Sequence, residues 1–265
     1  MAKLETLRLA PRRLRAPRGW QRLGWLGLGV ATVALTVAAN YPATWLASRI
    51  AAQTQGRVLL ADASGSLWHG SATLALSAGT GSQTATVLPG RLQWQLAFWP
   101  LLAGTARLTV SHSEAMAAPV ALTATPSGWQ AQAGAIRLPA SLLEGIGTPF
   151  NTLRPDGLMR ADWSALQGTF KGAITGHLTL RIEQVSSAVS RVRPLGSYRA
   201  EISWTGAGAQ LQLNTLAGPL HLEGSGTLGG RFDGQATADP DAEAQLNALL
   251  SLLGRRENNV TRLRF

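Results

Sequence analysis

The sequence predicts a mainly β chain, with a single N-terminal transmembrane helix followed by a β-sheet-rich domain that holds one or two short helices. Three observations predict this class. An uncharged apolar stretch follows a basic tail, later segments alternate apolar and polar residues with a period of two, and turn-forming residues cluster between those segments. With 265 residues, the chain is long enough to bury a core in one large or two small domains.

The positive charge of the chain is concentrated at its N-terminus. The formal charge is +10 overall, and residues 1–22 contain seven basic residues against Glu5 alone, a charge of +6. A nucleic-acid-binding protein usually carries its basic surface on the folded domain. We therefore predict a basic tail over residues 1–22 and no nucleic-acid partner.

The uncharged stretch between Arg22 and Arg49 predicts a transmembrane helix over residues 23–47. Its most apolar part, residues 23–39, is slightly shorter than the roughly 20 residues that a spanning helix needs, but uncharged residues continue to Ser48. Aromatic residues, which prefer the headgroup level, stand at both ends: Trp20, Trp25, Tyr41 and Trp45. The segment is thus expected to contact membrane lipid.

The basic tail also predicts the orientation of the chain. The positive-inside rule keeps the tail in the cytoplasm and places residues 48–265 on the far side, as a β-rich domain that is periplasmic if the cell has two membranes. A cleaved signal peptide is the alternative, because Val37, Ala38 and Ala39 offer a peptidase small residues before Asn40. The long basic region and the long apolar run favour a retained anchor.

Alternation of apolar and polar residues predicts the strands. In residues 91–98, Leu92, Trp94, Leu96 and Phe98 alternate with Arg91, Gln93, Gln95 and Ala97, which is typical of a strand with one buried face. Residues 106–111, 177–185, 198–204 and 209–216 alternate likewise, and residues 218–238 predict two strands joined by a glycine-rich turn.

Two segments favour helices. Residues 141–147 predict one or two helical turns. Asp239 and Pro240 form a typical helix opening, Gly254 ends the helix, and a short last strand follows. The apolar face of this second helix consists of Ala244, Leu246, Leu249, Leu250 and Leu253.

Patterns that carry chemistry are absent. The chain has no cysteine, and its histidines, His69, His112, His177 and His221, have no acidic or histidine neighbour at metal-ligand spacing. Residues 224–229 match GxGxxG, but no helical pattern follows them, so they predict a hairpin turn instead of a nucleotide site. We therefore predict no catalytic residue, no metal, no cofactor and no enzymatic activity.

Tryptophan is the most informative residue class, with nine copies. Six of them are expected to fill the core of the sheet: Trp68, Trp94, Trp99, Trp129, Trp163 and Trp204. The alternative is an aromatic stripe that binds glycan or acyl chains.

Three motifs, taken in order, resemble the protein N family of the type II (general) secretion pathway. The turn SGSLWHG contributes Ser64, Gly65, Leu67, Trp68 and Gly70; the segment LQWQLAFWPLLAG contributes Trp94, Pro100 and Gly104; and GPLHLEGSG contributes Gly218, Pro219, Gly224 and Gly226. We expect these residues to be structural, with Trp68 as a core anchor and His69 incidental.

The resemblance implies an inner-membrane component of the machine that exports folded periplasmic proteins across the outer membrane. It implies action by binding other inner-membrane subunits, and it carries over no active-site residue. An alternative from another class is a membrane-anchored periplasmic lipid-handling β-protein, since a long sheet with an apolar face could carry acyl chains. A filled core favours the first hypothesis, and a continuous apolar groove favours the second.

Overall fold

The computed structural model describes residues 25–30, 32–33, 36–37, 40–79, 85–146, 150–206, 208–257 and 260–264. They belong to two compact units, residues 1–41 and residues 42–265. Described residues of the first unit before residue 40 are helical and exposed. No helix within the described ranges combines the length and the apolarity needed to cross a bilayer. The predicted tail and residues 23–24, 31, 34–35 and 38–39 of the predicted span lie outside those ranges.

The second unit consists mainly of strands. Its strands are β1 (Val58–Gly65), β2 (His69–Ser77), β3 (Ala85–Val87), β4 (Leu92–Ala97), β5 (Ala106–His112), β6 (Val120–Thr125), β7 (Gly128–Ala131), β8 (Gly134–Pro139), β9 (Pro155–Trp163), β10 (Leu166–Gly168), β11 (Ile174–Ser187), β12 (Gly196–Gly206), β13 (Ala209–Ala217), β14 (Leu220–Thr227), β15 (Phe232–Ala238), β16 (Arg255–Glu257) and β17 (Val260–Arg264). Its helices are α1 (Ala43–Gln53), α2 (Phe98–Leu102), a 3₁₀ helix (Ala140–Ile146), α3 (Phe150–Leu153) and α4 (Glu243–Leu253).

All described strands join one antiparallel sheet. From β4 to β7 and from β10 to β15, each strand pairs with the next in this order, and β7 pairs with β10. At the first end of the sheet, β2 pairs with β1 along one of its edges and with β3 and β4 along its opposite edge. At the last end, β15 pairs with β17, and β17 pairs with β16. The β8–β9 hairpin adds to β11 beside β10. Such short connections between consecutive antiparallel strands let local contacts build most of the sheet.

The pleat gives the sheet one apolar and one polar face. In β4, Trp94 is buried while Gln93 and Gln95 are exposed, as the alternation predicts. The predicted strands at 106–111, 177–185, 198–204 and 209–216 are all confirmed, as is the hairpin of β14 and β15. A mainly β architecture is therefore confirmed.

Helices cover the apolar face at the two ends of the strand order. Helix α1 packs on β1, β2 and β4, where Ala43, Leu60, Ala72 and Trp94 form one buried cluster. Helix α4 packs on β14, β15 and β17 through Leu246, Leu249 and Leu250. A third cluster joins the 3₁₀ helix to residues near β3 and β8. The described residues hold more short helices than the one or two expected: α1 adds cover to the apolar face, whereas α2 and α3 have no buried residue.

The predicted opening of the last helix is wrong. Helix α4 starts at Glu243, with Ala242 as its N-cap residue, instead of at Asp239 and Pro240. The Asp239 carboxylate lies 2.8 Å from Nε2 of His221 on β14. A cross-strand partner thus takes the carboxylate that the sequence pattern assigned to the helix cap. Gly254 follows the helix as predicted.

Candidate interaction surface

The first two sequence motifs meet at one end of the sheet. The turn between β1 and β2 is closed by the Ser66 N–H, which donates to the His69 carbonyl at 2.8 Å. Gly65 has φ +88°, in the left-handed region that favours glycine, and a Cβ there would lie 2.5 Å from the His69 oxygen. The Leu96 N–H donates to the Trp68 carbonyl at 2.7 Å and links this turn to β4.

Trp94 is the tryptophan of the core. Its side chain is 5% exposed, and its indole N–H donates to the Leu67 carbonyl at 3.2 Å. Gly70 lies against the indole so closely that a Cβ would stand 2.3 Å from Cζ2. Three motif residues from two strands and a turn therefore form one packing unit.

The predicted role of Trp68 as core anchor needs correction. Trp68 is only half-buried, and its ring packs edge-to-face on Phe98 with centroids 5.1 Å apart. Of the six tryptophans expected to fill the core, Trp94 alone is buried, and Trp99 is 78% exposed. Trp129, Trp163 and Trp204 are half-buried on the sheet. Trp99 is turned away because it lies in the α2 turn between β4 and β5, where the alternation of the strand has ended.

The third motif lies apart from the first two, near the other end of the strand order. Gly218 has φ +106°, and a Cβ on it would meet the Gly196 backbone at 2.4 Å. Pro219 follows in the same turn between β13 and β14. Gly224 and Gly226 lie within β14, opposite Gly234 and Phe232 of β15. A hairpin, not a helix, follows the GxGxxG pattern, so the prediction of a hairpin turn is confirmed.

Four arginines line up across the polar face. Cross-strand pairing places Arg137 beside Arg160, Arg160 beside Arg181, and Arg181 beside Arg199, on β8, β9, β11 and β12. Like charges directly opposite one another are destabilising. Asp162 offsets part of this repulsion, since Arg160 donates to both of its carboxylate oxygens at 2.9 Å. These hydrogen bonds hold the pKa of the Asp162 carboxyl below its usual value.

The apolar face runs on between the two helix-covered ends. One cross-strand row contains Trp163, Leu178, Ile202 and Leu211, and the next contains Ala161, Leu180, Ala200 and Leu213. All eight side chains are half-buried. The middle of the apolar face therefore lacks the full cover that α1 and α4 give the ends.

The histidines do not form a cluster. Among the described residues no group of three His, Asp or Glu side chains is arranged to hold a metal ion. His69 and His177 are exposed, and His221 pairs with Asp239. His112 is 2% exposed, and its Nδ1 accepts backbone N–H groups from Glu114 at 3.3 Å and Ala115 at 3.1 Å. Burial lowers the pKa of His112, against the opposing effect of the Glu114 charge.

Two features of this surface were missed by sequence reasoning. Trp99, in the exposed α2 turn between β4 and β5, was assigned to the core, although the proline inside an apolar run between two alternating strands signals a turn there. The arginine row has no linear signal, because its four members come from four strands and meet only through the register.

The fold is that of an antiparallel β-sheet protein whose ends are covered by short helices, with an aromatic turn as an exposed apolar feature. The sequence profile of the type II secretion system (T2SS) protein N family matches residues 56–264. The chain belongs to this family. A search of curated proteins and a search of solved structures each gave no match.

Proposed function

We propose that this chain is an inner-membrane component of the type II secretion system that acts by binding other inner-membrane subunits. In that role it supports export of folded periplasmic proteins across the outer membrane, without catalysing a reaction. The family match over residues 56–264 carries the proposal. The arginine row on the polar face supports it, because arginine is enriched among the residues that contribute most to protein–protein binding.

The membrane anchor in this proposal is shorter than the span of residues 23–47 that the uncharged stretch predicts. Because α1 packs on the sheet, residues 43–47 belong with the folded domain, and we place the end of the span before Pro42. A helix over residues 23–39 would be about 26 Å long, close to the roughly 30 Å of the hydrocarbon core, and the non-helical Asn40 and Tyr41 would complete the span. The basic tail then stays in the cytoplasm, and the sheet lies in the periplasm.

Fusion of alkaline phosphatase tests the orientation. The enzyme is active only outside the cytoplasm, so a fusion after Phe265 should be active and a fusion before Leu23 should be inactive. The chain should also stay in the membrane fraction after a carbonate wash. Release of a soluble chain that begins at Asn40 would support the cleaved signal peptide instead.

An export assay tests the function. Removing the chain from its bacterial host should leave folded cargo in the periplasm, and restoring it should return cargo to the medium. Cross-linking in the membrane should join the restored chain to other subunits of the machine. Unchanged export without the chain, with the other subunits present at normal levels, would overturn the proposal.

A lipid-handling role is the second candidate, favoured by the half-covered apolar rows on β9, β11, β12 and β13. A photoactivatable fatty acid should label the wild-type chain, and Ile202→Gln in the apolar row should label less. Ser203→Gln on the polar face is the matched control. Equal labelling of the two variants would remove this candidate.

A further inference from the structure

The turn between β4 and β5 presents apolar side chains to the outside. Helix α2 occupies it, Trp99 is 78% exposed and Leu102 is 71% exposed. No charged residue occurs between Arg91 and Arg107. A contiguous exposed apolar patch of this kind marks a surface that contacts another molecule or a membrane.

The aromatic rings of this turn are held in place. Phe98 packs edge-to-face on Trp68 at 5.1 Å and on Trp99 at 5.8 Å, measured between ring centroids. The Gly104 N–H donates to the Leu101 carbonyl at 2.9 Å, with Gly104 at φ +73°. The turn therefore keeps its apolar surface outward instead of folding it onto the sheet.

The turn lies at the end of the strands where the chain enters the sheet domain. Pro42 forms a β-bridge with Ser66, two residues before Trp68, and Trp68 packs on Phe98. The antiparallel order thus brings the start of the folded domain, the β1–β2 turn and the β4–β5 turn to one end. Tyr41, the covalent neighbour of Pro42, is the last residue of the proposed span.

Trp45 is a further exposed aromatic residue, on the first turn of α1. Its side chain is 37% exposed, whereas its neighbours Ala43 and Leu46 pack in the core cluster. The Arg49 guanidinium lies 5.2 Å from the Trp45 ring. An amphipathic ring beside a cation is the combination that the headgroup region of a bilayer accepts.

We infer that the α2 turn, with Trp99 and Leu102 at its tip, inserts into the interfacial layer of the membrane that holds the N-terminal segment. The inference rests on the proposed anchoring, because a span ending at residue 41 would bring this end of the sheet to the bilayer. The partner is the lipid surface itself, since the tip lies at the same end of the sheet as Pro42, the residue that directly follows the proposed span in the chain. Docking at two points would set the orientation of the sheet above the membrane.

Site-specific labelling tests this docking, and the absence of native cysteine makes each introduced cysteine unique. Leu102→Cys carries an environment-sensitive fluorophore at the tip. Leu158→Cys on β9, also 71% exposed, is the matched control, and Val33→Cys reports on the anchor. Each full-length chain is reconstituted in phosphatidylethanolamine–phosphatidylglycerol vesicles, with and without lipids that bear a nitroxide quencher.

We expect a blue-shifted emission and the loss of most of the intensity at residues 33 and 102, with an aqueous spectrum at residue 158. Adding Trp99→Ser to the Leu102→Cys chain should restore much of the intensity without changing the melting temperature. Quenching at residue 33 but not at residue 102 would overturn the inference and leave the anchor intact, as for a tip that binds a protein subunit. Absence of quenching at residue 33 would overturn the anchoring itself.

Discussion

Replacement of two tryptophans five residues apart, Trp94 and Trp99, should have opposite consequences. Trp94→Ala removes a ring that is 5% exposed and leaves the Leu67 carbonyl without its indole donor. Truncation of a buried tryptophan costs about 3–5 kcal/mol, which includes the cavity left behind. Trp99→Ala removes a ring that stands mostly in solvent, so its free energy of unfolding should change by less than about 0.5 kcal/mol.

Thermal unfolding of the full chain in detergent, followed by far-UV circular dichroism, measures the difference. For a domain of this size each kcal/mol shifts the melting temperature by about 2–4 °C, so Trp94→Ala should melt roughly 6–20 °C lower. Trp99→Ala is the matched control, with the same chemical change at an exposed site. Equal melting of the two variants, or a greater loss in Trp99→Ala, would refute the packing argument.

Three further predictions follow from named contacts. Gly70→Ala should destabilise the sheet by more than about 1 kcal/mol, measured by urea unfolding, because its Cβ would collide with Trp94; wild-type stability would contradict this. Since burial lowers the pKa of His112, the unfolded chain binds more protons, and stability should fall as the pH drops through about 6.5. His112→Asn should flatten that part of a melting-temperature profile, and an unchanged slope would refute it. Asp162→Asn should lower the melting temperature, because the charge of Arg160 would then repel its arginine neighbours without a carboxylate beside it, and added salt should reduce this decrease. A decrease in melting temperature that salt does not change would indicate another cause.

The lowered pKa of Asp162 has its own pH consequence. The folded state favours the ionised carboxylate, so its contribution is complete above the unfolded pKa of the group and disappears as the pH falls through the folded value. The effects of Asp162 and His112 have the same direction, and both weaken the fold on the acid side. The Asp162 pair is largely solvent-exposed, so we expect its share to be the smaller one.

The sequence by itself determined the strands whose pattern depends only on the pleat. In β4, β11, β12 and β13 alternate side chains point to opposite faces, so local alternation is sufficient to identify the residues of the apolar face. Glycines predicted the β14–β15 hairpin for a similar reason, since no helical pattern competes there. Gly254 marked the end of α4, where a Cβ would collide with the Arg262 carbonyl of β17.

Only the tertiary structure decided which apolar groups are covered and by what. Trp94 is covered by α1 and by the turn at Leu67, whereas Trp68 packs on Phe98 and Trp99 points outward. Helix α1 shows the same limit, because its first residues, 43–48, carry no charge and are compatible with lipid as well as with the apolar face of a sheet. The arginine row required the register of four strands, and a shift of one residue in any of them would turn its arginine to the other face. Local patterns fix which way a side chain points along its strand, whereas burial and charge pairing depend on partners that only the folded chain brings together.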